Sequence, residues 1–296
     1  MDLSRFRGTG VALVTPFRED GSVDQDLFAR HVEAQIEGGA EFLVPCGTTG
    51  EGATLTPEEQ ARQIAATVEI AAGRAAVMAG AGTNDTRAAV GLAEGAEKAG
   101  ADAILTVSPY YNKPTPAGLA AHYSTLAGAV SLPIFVYNVP GRTASNIRAE
   151  TLLRLAEIEG VAGVKEASGD IEQVMAIIEK RPAGFLVLSG DDALTLPIVA
   201  AGGDGVISVV ANEAPRLMSD MVRAALAGDA TRARELHYRL LPLMRANFVE
   251  TNPIPVKTAL EIMGRMPARF RLPLVPATQE SAAVLRTALQ NVGLLG

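Results

Sequence analysis

The sequence predicts an α/β protein, a (β/α)8 TIM-type barrel followed by a small C-terminal helical domain, and three observations carry that prediction. Short apolar runs alternate with longer amphipathic ones, and there are eight of the short runs. Those runs are apolar throughout instead of at every second residue, as strands buried on both faces are. The alternation then stops near Gly228, and the rest of the chain is helical only. An open doubly wound sheet would require a glycine-rich phosphate loop after the first strand, and Thr15-Pro16-Phe17 supplies none, so the βα units are expected to close into a barrel.

In chain order the expected strands are residues 10–17, 41–47, 75–82, 101–109, 133–140, 161–167, 185–191 and 205–210. Helical periodicity marks residues 24–38, 57–72, 86–99, 116–130, 147–157 and 171–180 between them. Thr56-Pro57-Glu58-Glu59 reads as a cap, a proline at the first helical position and two carboxylates facing the positive end of the helix dipole. Gly38-Gly39 and Gly100 stand where a left-handed residue ends a helix. Residues 1–228 are assigned to the barrel. Residues 229–296 are assigned to an appendage with helices at 229–249, 254–263 and 281–292, broken by Pro253, Pro255 and the proline-rich 272–276 segment. The plain reading of the appendage is a stabilising or subunit-contacting module.

With 48% hydrophobic and 20% charged residues in 296, the chain is long enough and apolar enough to bury a large core. The longest uncharged stretch, 114–141, is interrupted by four prolines and by Tyr137-Asn138, which excludes a membrane helix. The first eight residues carry Asp2, Arg5 and Arg7 with no apolar run behind them and read as neither signal nor transit peptide, so a cytoplasmic location is expected. A net charge of −7 without a Lys/Arg cluster argues against a nucleic-acid partner. One cysteine, Cys46, excludes an internal disulfide and a thiolate zinc site, and His31, His122 and His237 show no metal-ligand spacing. Neither a metal nor an organic cofactor is expected.

Barrel enzymes carry their chemistry at the carboxyl ends of the strands. There the sequence places Thr15, Gly47-Thr48-Thr49-Gly50-Glu51, Gly82-Thr83-Asn84, Tyr110-Tyr111-Asn112, Tyr137-Asn138, Lys165-Glu166, Ser189-Gly190-Asp191-Asp192, Ser208 and Asn212. Lys165 is the most informative of these. Five lysines stand against twenty-one arginines, and Lys165 alone ends an apolar strand. Desolvation there lowers an amine pKa and leaves a neutral nucleophile for a carbonyl, which an arginine could not provide. Its plain alternative is a barrel cation paired with Glu166 or Asp191. Tyr137 ends the preceding strand and, pointing inward, could shuttle protons for imine chemistry; alternatively it is an aromatic plug. The Gly47–Glu51 run resembles a backbone nest suited to a carboxylate, or else a tight turn. Asp191-Asp192 would repel a phosphate and so point to an unphosphorylated substrate; the plain reading is a pair of helix caps.

The strings GTTGE (47–51), SPYYNKP (108–114), YNVPGRT (137–143), GVKEASGD (163–170), GVISVVAN (205–212) and NPIPVK (252–257) occur in this order over nearly the whole chain. Together they resemble the dihydrodipicolinate synthase (4-hydroxy-tetrahydrodipicolinate synthase) family within the class I pyruvate-lyase superfamily. The resemblance implies condensation of pyruvate with L-aspartate 4-semialdehyde, in lysine and diaminopimelate biosynthesis. Lys165 matches the Schiff-base lysine, and Thr48, Tyr137 and Tyr111 match a proton relay whose Tyr111 comes from a neighbouring subunit. Thr48 and Thr49 match the pyruvate-carboxylate site, Arg142 matches the residue holding the semialdehyde carboxylate, and Gly190 and Ile207 match further substrate-binding positions. A homo-oligomer is implied, a tetramer built as a dimer of dimers. Pro57, Gln60 and Ala88 depart from the polar, aromatic or acidic groups with which lysine-inhibited relatives hold the inhibitor, so weak or absent inhibition by lysine is expected. The competing readings are another pyruvate-dependent lyase of the superfamily, acting on N-acetylneuraminate or a sugar acid, and a catalytically silent keto-acid sensor; the latter would be expected to have lost the lysine or the tyrosines.

Overall fold

The computed structural model describes residues 2–295. Strand β1 (Gly8–Ala12) leads to α1 (Gln25–Glu37), β2 (Phe42–Val44) to α2 (Pro57–Ala71), β3 (Ala76–Gly80) to α3 (Thr86–Lys98) and β4 (Ala103–Val107) to α4 (Pro116–Ala129). Strand β5 (Ile134–Asn138) is followed by a single-turn helix, α5 (Pro140–Thr143), and by α6 (Ala149–Leu155). Then come β6 (Val161–Glu166) with α7 (Ile171–Lys180), β7 (Leu186–Ser189) with α8 (Thr195–Ala200), and β8 (Gly205–Ser208) with α9 (Pro215–Leu226). Helices α10 (Ala230–Ala246), α11 (Ile254–Ile262) and α12 (Gln279–Val292) complete the chain. Each strand pairs in parallel with its neighbours, and β8 returns to β1 from Gly8↔Gly205 to Val11↔Ser208, closing an eight-stranded barrel. No helix among the described residues is long and apolar enough to cross a membrane.

The barrel is filled from its amino end. Phe6, from a 3₁₀ turn at Leu3–Phe6, meets Phe42 and Phe135 edge-on at 5.7 and 5.4 Å between ring centroids. Gly10 and Gly163 make room for those rings: a Cβ at either position would lie 2.1 Å from Phe42 or 2.6 Å from Phe135. Val44, Met78, Leu105, Leu188 and Ile207 belong to the same interior cluster. Buried rings of this kind are each worth about 3–5 kcal/mol against alanine, so the interior is a packed core and only its carboxyl end is free for chemistry. Outside the strands, Ile104, Ile134, Val136, Val164 and Val187 pack against the apolar faces of α4, α6 and α7. Leu236, Leu240, Leu285 and Leu289 of α10 and α12 join the cluster around Val11, Leu13, Met218 and Val222, so the C-terminal helices share a core with β1 and α9.

Local signals behave as their chemistry requires. Thr56 and Glu59 form a reciprocal capping box at α2, and Gly39 and Gly100 take positive φ of 93° and 88°. The first strand differs from expectation: β1 spans Gly8–Ala12, and Leu13 to Phe17 leave the sheet after Leu13 N–H bonds to the Val44 carbonyl. These residues remain buried because α11 covers them, Val14 packing with Val256 and Leu260. An unbroken apolar run reports burial, which here outlasts strand pairing. The other strands are likewise shorter than their apolar runs, and α5, α8 and α9 add helices that the periodicity had not marked.

Candidate active site

The carboxyl end of the barrel opens into a cavity of about 800 Å³. Thr48, Tyr137 and Arg142 lie on its wall together with Leu105, Tyr110 and Asn252. Lys165 sits behind this wall at 5% exposure. Strand register is what joins it to the cavity: Tyr137 of β5 is the direct lateral partner of Lys165 on β6, so both side chains project from the same face of the sheet. The Lys165 Nζ stands 4.3 Å from the centroid of the Tyr137 ring.

Burial pulls the Lys165 amine down to about 8; the negative charge of Asp192 opposes that fall and the Arg142 guanidinium reinforces it. The partners foreseen for Lys165 are engaged elsewhere. Glu166 points to the other face, accepting from Asn138 Nδ2 at 2.9 Å and from the Ser168 N–H at 2.7 Å. Asp191 caps a 3₁₀ turn, Asp192–Leu194, by accepting from the Ala193 N–H at 2.9 Å. The neighbouring Asp192 is no rim carboxylate either: it is 2% exposed and accepts the Val209 and Val210 N–H groups at 3.0 and 2.8 Å. Desolvation pushes its carboxyl up to about 6. The two aspartates are therefore not the matched pair of rim carboxylates that the sequence had suggested: Asp191 serves as a cap, and Asp192 is buried, where its charge acts on Lys165.

A second lysine is buried, and it differs from Lys165 in its bonding partners. Among the described residues Lys257 alone of the lysines forms an ion pair, with Glu51 at 2.6 Å, and it also donates to the carbonyls of Thr15, at 3.0 Å, and Arg269. Three ammonium protons meet three acceptors, so Lys257 is held as a cation. Burial lowers both amines and both lie beside aromatic rings, but among the described residues Lys165 Nζ has no hydrogen-bond or ion-pair partner, and an amine left free in this way is what attack on a carbonyl needs.

Tyr137 keeps its proton at neutral pH: burial raises the phenol, while the Arg142 charge and a hydrogen bond with Thr48 work against the rise. Arg142 is carried by α5, and its Nη2 donates to the Asn252 carbonyl at 3.2 Å. In the 47–51 loop the N–H groups of Gly50, Glu51 and Gly52 turn back onto the carbonyls of Gly47, Thr48 and Gly47, whereas those of Thr48 and Thr49 have no backbone partner. The Thr49 hydroxyl accepts from Asn252 Nδ2 at 3.0 Å. Gly190 is placed against the lysine, where a Cβ would lie 3.1 Å from Lys165 Cε and 2.6 Å from Ala167 Cβ. Ile207 is fully inside the barrel in the same cluster as Tyr137.

Tyr111 is the residue that the fold does not bring in. It is 88% exposed, in a left-handed conformation with φ of 70°, and the wall position next to it belongs to Tyr110, whose hydroxyl lies 3.5 Å from Thr83 Oγ1. Conversely, Asn252 and Lys257 belong to the support of the site without having been singled out individually in the sequence. Lys257 carries no local mark, because a helical lysine ordinarily lies in solvent; the NPIPVK string was its only signal.

The model of the dihydrodipicolinate synthetase family matches residues 5–292. The chain is 55% identical to the 4-hydroxy-tetrahydrodipicolinate synthase of Maridesulfovibrio salexigens over 291 residues, covering 98% of this chain and 99% of the relative. The crystal structure of dihydrodipicolinate synthase from Aquifex aeolicus superposes with a TM-score of 0.95 at 46% identity, covering 98% of this chain and 99% of that one. A structure described as a monomeric dihydrodipicolinate synthase variant superposes with a TM-score of 0.96 at 44% identity, covering 99% and 98%. With a family match over nearly its whole length and a closed parallel barrel holding a desolvated lysine against a tyrosine, this chain belongs to the dihydrodipicolinate synthetase family.

Proposed function

We propose that this chain condenses pyruvate with L-aspartate 4-semialdehyde through an imine on Lys165, releasing 4-hydroxy-tetrahydrodipicolinate. The observation that carries the reading is the lateral pairing of Tyr137 with a Lys165 whose amine is desolvated. The neutral amine attacks the ketone carbon of pyruvate, and the carbinolamine loses water to form the imine. Loss of a methyl proton gives the enamine, whose carbon adds to the aldehyde of the second substrate. The amino group of that substrate then attacks the imine carbon, closing the ring and expelling Lys165. Tyr137 and Thr48 carry the protons of these steps. The unpartnered N–H groups of Thr48 and Thr49 receive the pyruvate carboxylate, with Gly190 and Ile207 shaping its pocket, and Arg142 grips the carboxylate of the semialdehyde.

Tyr111 completes the relay of a neighbouring copy. Its near-complete exposure in a single chain supports this and favours a homo-oligomer as the active form, for which the family resemblance implies a dimer of dimers. Residues 229–296 act as the helical module that closes the cavity beside Arg142. A lyase acting on sugar-derived acids would not need this second carboxylate grip. Assaying pyruvate with aspartate semialdehyde beside N-acetylmannosamine and glyceraldehyde tests the reading: turnover with the semialdehyde is expected, and turnover with a sugar aldehyde alone would overturn it.

Inhibition by lysine is expected to be weak, with an inhibition constant above about 1 mM. Pro57, Gln60 and Ala88 line the outer part of the cavity, and the Gln60 amide is already committed to the Gly52 carbonyl at 2.9 Å. None of the three supplies a carboxylate to neutralise an ammonium group. Initial rates over a lysine series check this, and a sub-millimolar constant would refute it.

A further inference from the structure

The loop assigned to the pyruvate carboxylate is built of hydrogen-bonded turns outside any strand or α-helix, yet it must hold two N–H groups in one direction. What holds it lies behind it. Glu51, the last residue of the loop, borders the cavity with φ 53° and ψ 35°, and its side chain is buried. There Oε1 meets Lys257 Nζ at 2.6 Å and Oε2 accepts the Arg271 N–H at 3.2 Å. Both side chains of the ion pair are essentially without solvent contact, at 0% and 1% exposure.

Lys257 reaches this point from α11, over two hundred positions later in the sequence, and ties three segments together. Besides Glu51 it binds the Thr15 carbonyl near the start of the first βα connection, and the Thr15 hydroxyl in turn donates to the Gly50 carbonyl at 2.7 Å. Its third proton goes to the Arg269 carbonyl in the C-terminal segment. The rings of Phe17 and Phe270 lie 4.5 and 4.7 Å from Nζ and exclude water. Five residues before Lys257, Asn252 supplies the bonds to Thr49 Oγ1 and from Arg142. The loop itself has no slack on its inner side, since a Cβ at Gly50 would lie 2.9 Å from the Leu13 carbonyl oxygen.

We infer that the buried Lys257–Glu51 ion pair is a positioning device for the pyruvate-carboxylate loop, through which the C-terminal helices set the affinity for the keto acid. The inference rests on the assignment of that loop to the carboxylate. Both carry their charges to each other and to backbone groups. A buried charge pair is not an efficient way to gain stability alone, because well-packed apolar residues of similar size do as well or better. Its directional, three-way geometry is what an apolar replacement would lack.

The test compares the wild-type enzyme with the double variant Lys257→Met/Glu51→Gln, which leaves no unpaired buried charge, and with Glu51→Gln alone, which keeps the side-chain shape and the hydrogen-bond acceptor but removes the countercharge of Lys257. The readout is the pyruvate concentration giving half-maximal borohydride-trapped imine, measured by intact mass, beside the semialdehyde KM and a thermal melt. The double variant is expected to fold and to need about tenfold more pyruvate, with the semialdehyde KM changed less than about twofold. Glu51→Gln is expected to shift in the same direction by about threefold, and it carries the test if the double variant fails to fold. Unchanged half-saturation in folded variants would overturn the inference and leave a purely structural pair. Failure of the wild type to trap pyruvate would instead defeat the functional reading on which it rests.

Discussion

Lys165→Met is expected to abolish turnover, lowering kcat/KM by on the order of 10⁴-fold or more, and to remove the mass gained when the enzyme is reduced with borohydride in the presence of pyruvate. Methionine fills nearly the same volume without an amine, so the loss isolates the chemistry. The native amine works because of where it sits. With a pKa of about 8, about one molecule in ten is neutral at pH 7, against about one in three thousand for an unperturbed lysine. Imine formation in the native enzyme should therefore quicken as pH rises through 7 and level off above about 8. Stability moves the opposite way on substitution. The folded-state pKa lies below the unfolded value of 10.5, so the folded protein holds its proton less tightly, and its stability rises with pH between about 8 and 10.5. Below that window the penalty is constant, about 3 kcal/mol by linkage, and Lys165→Met should recover part of it as a higher melting temperature at pH 7. Retained turnover in the variant, or pyruvate still trapped on it, would eliminate Lys165 as the nucleophile.

Tyr137→Phe is expected to lower kcat by about 10²–10³-fold while leaving the fold intact. The ring packs in the interior cluster and is retained; only the phenol oxygen, with its link to Thr48, is lost. Because burial keeps this phenol protonated, its absence should slow carbinolamine dehydration directly, and rapid-quench trapping should show imine accumulating slowly to the same final extent. A variant that forms imine at the native rate would place the proton transfers elsewhere and leave Tyr137 as a packing residue.

Asp192 shows where local reading of the sequence reaches its limit. Two successive aspartates after β7 looked alike, yet Asp191 caps a turn and Asp192 is buried on the backbone N–H groups of Val209 and Val210. Only the return of the chain after β8 makes them different. The Lys257–Glu51 pair was hidden for the same reason: its members come from α11 and the loop after β2, and nothing near either residue announces the other. Lys165, by contrast, was legible because its oddity is local, a lysine closing an apolar strand in an arginine-rich chain.

The order of apolar and amphipathic runs was enough to specify an eight-stranded parallel barrel, since strands buried on both faces have few other ways to be covered. Helix caps and turn glycines were equally local and equally readable. Tertiary structure alone decided that Tyr137 stands beside Lys165 in register, that Tyr111 points away from its own cavity, and that the C-terminal helices reach back to hold the 47–51 loop. The physical reason is one of range. Periodicity and capping act over a few residues, whereas register, burial of a charge and the pairing of distant ions depend on how the closed barrel brings remote segments together.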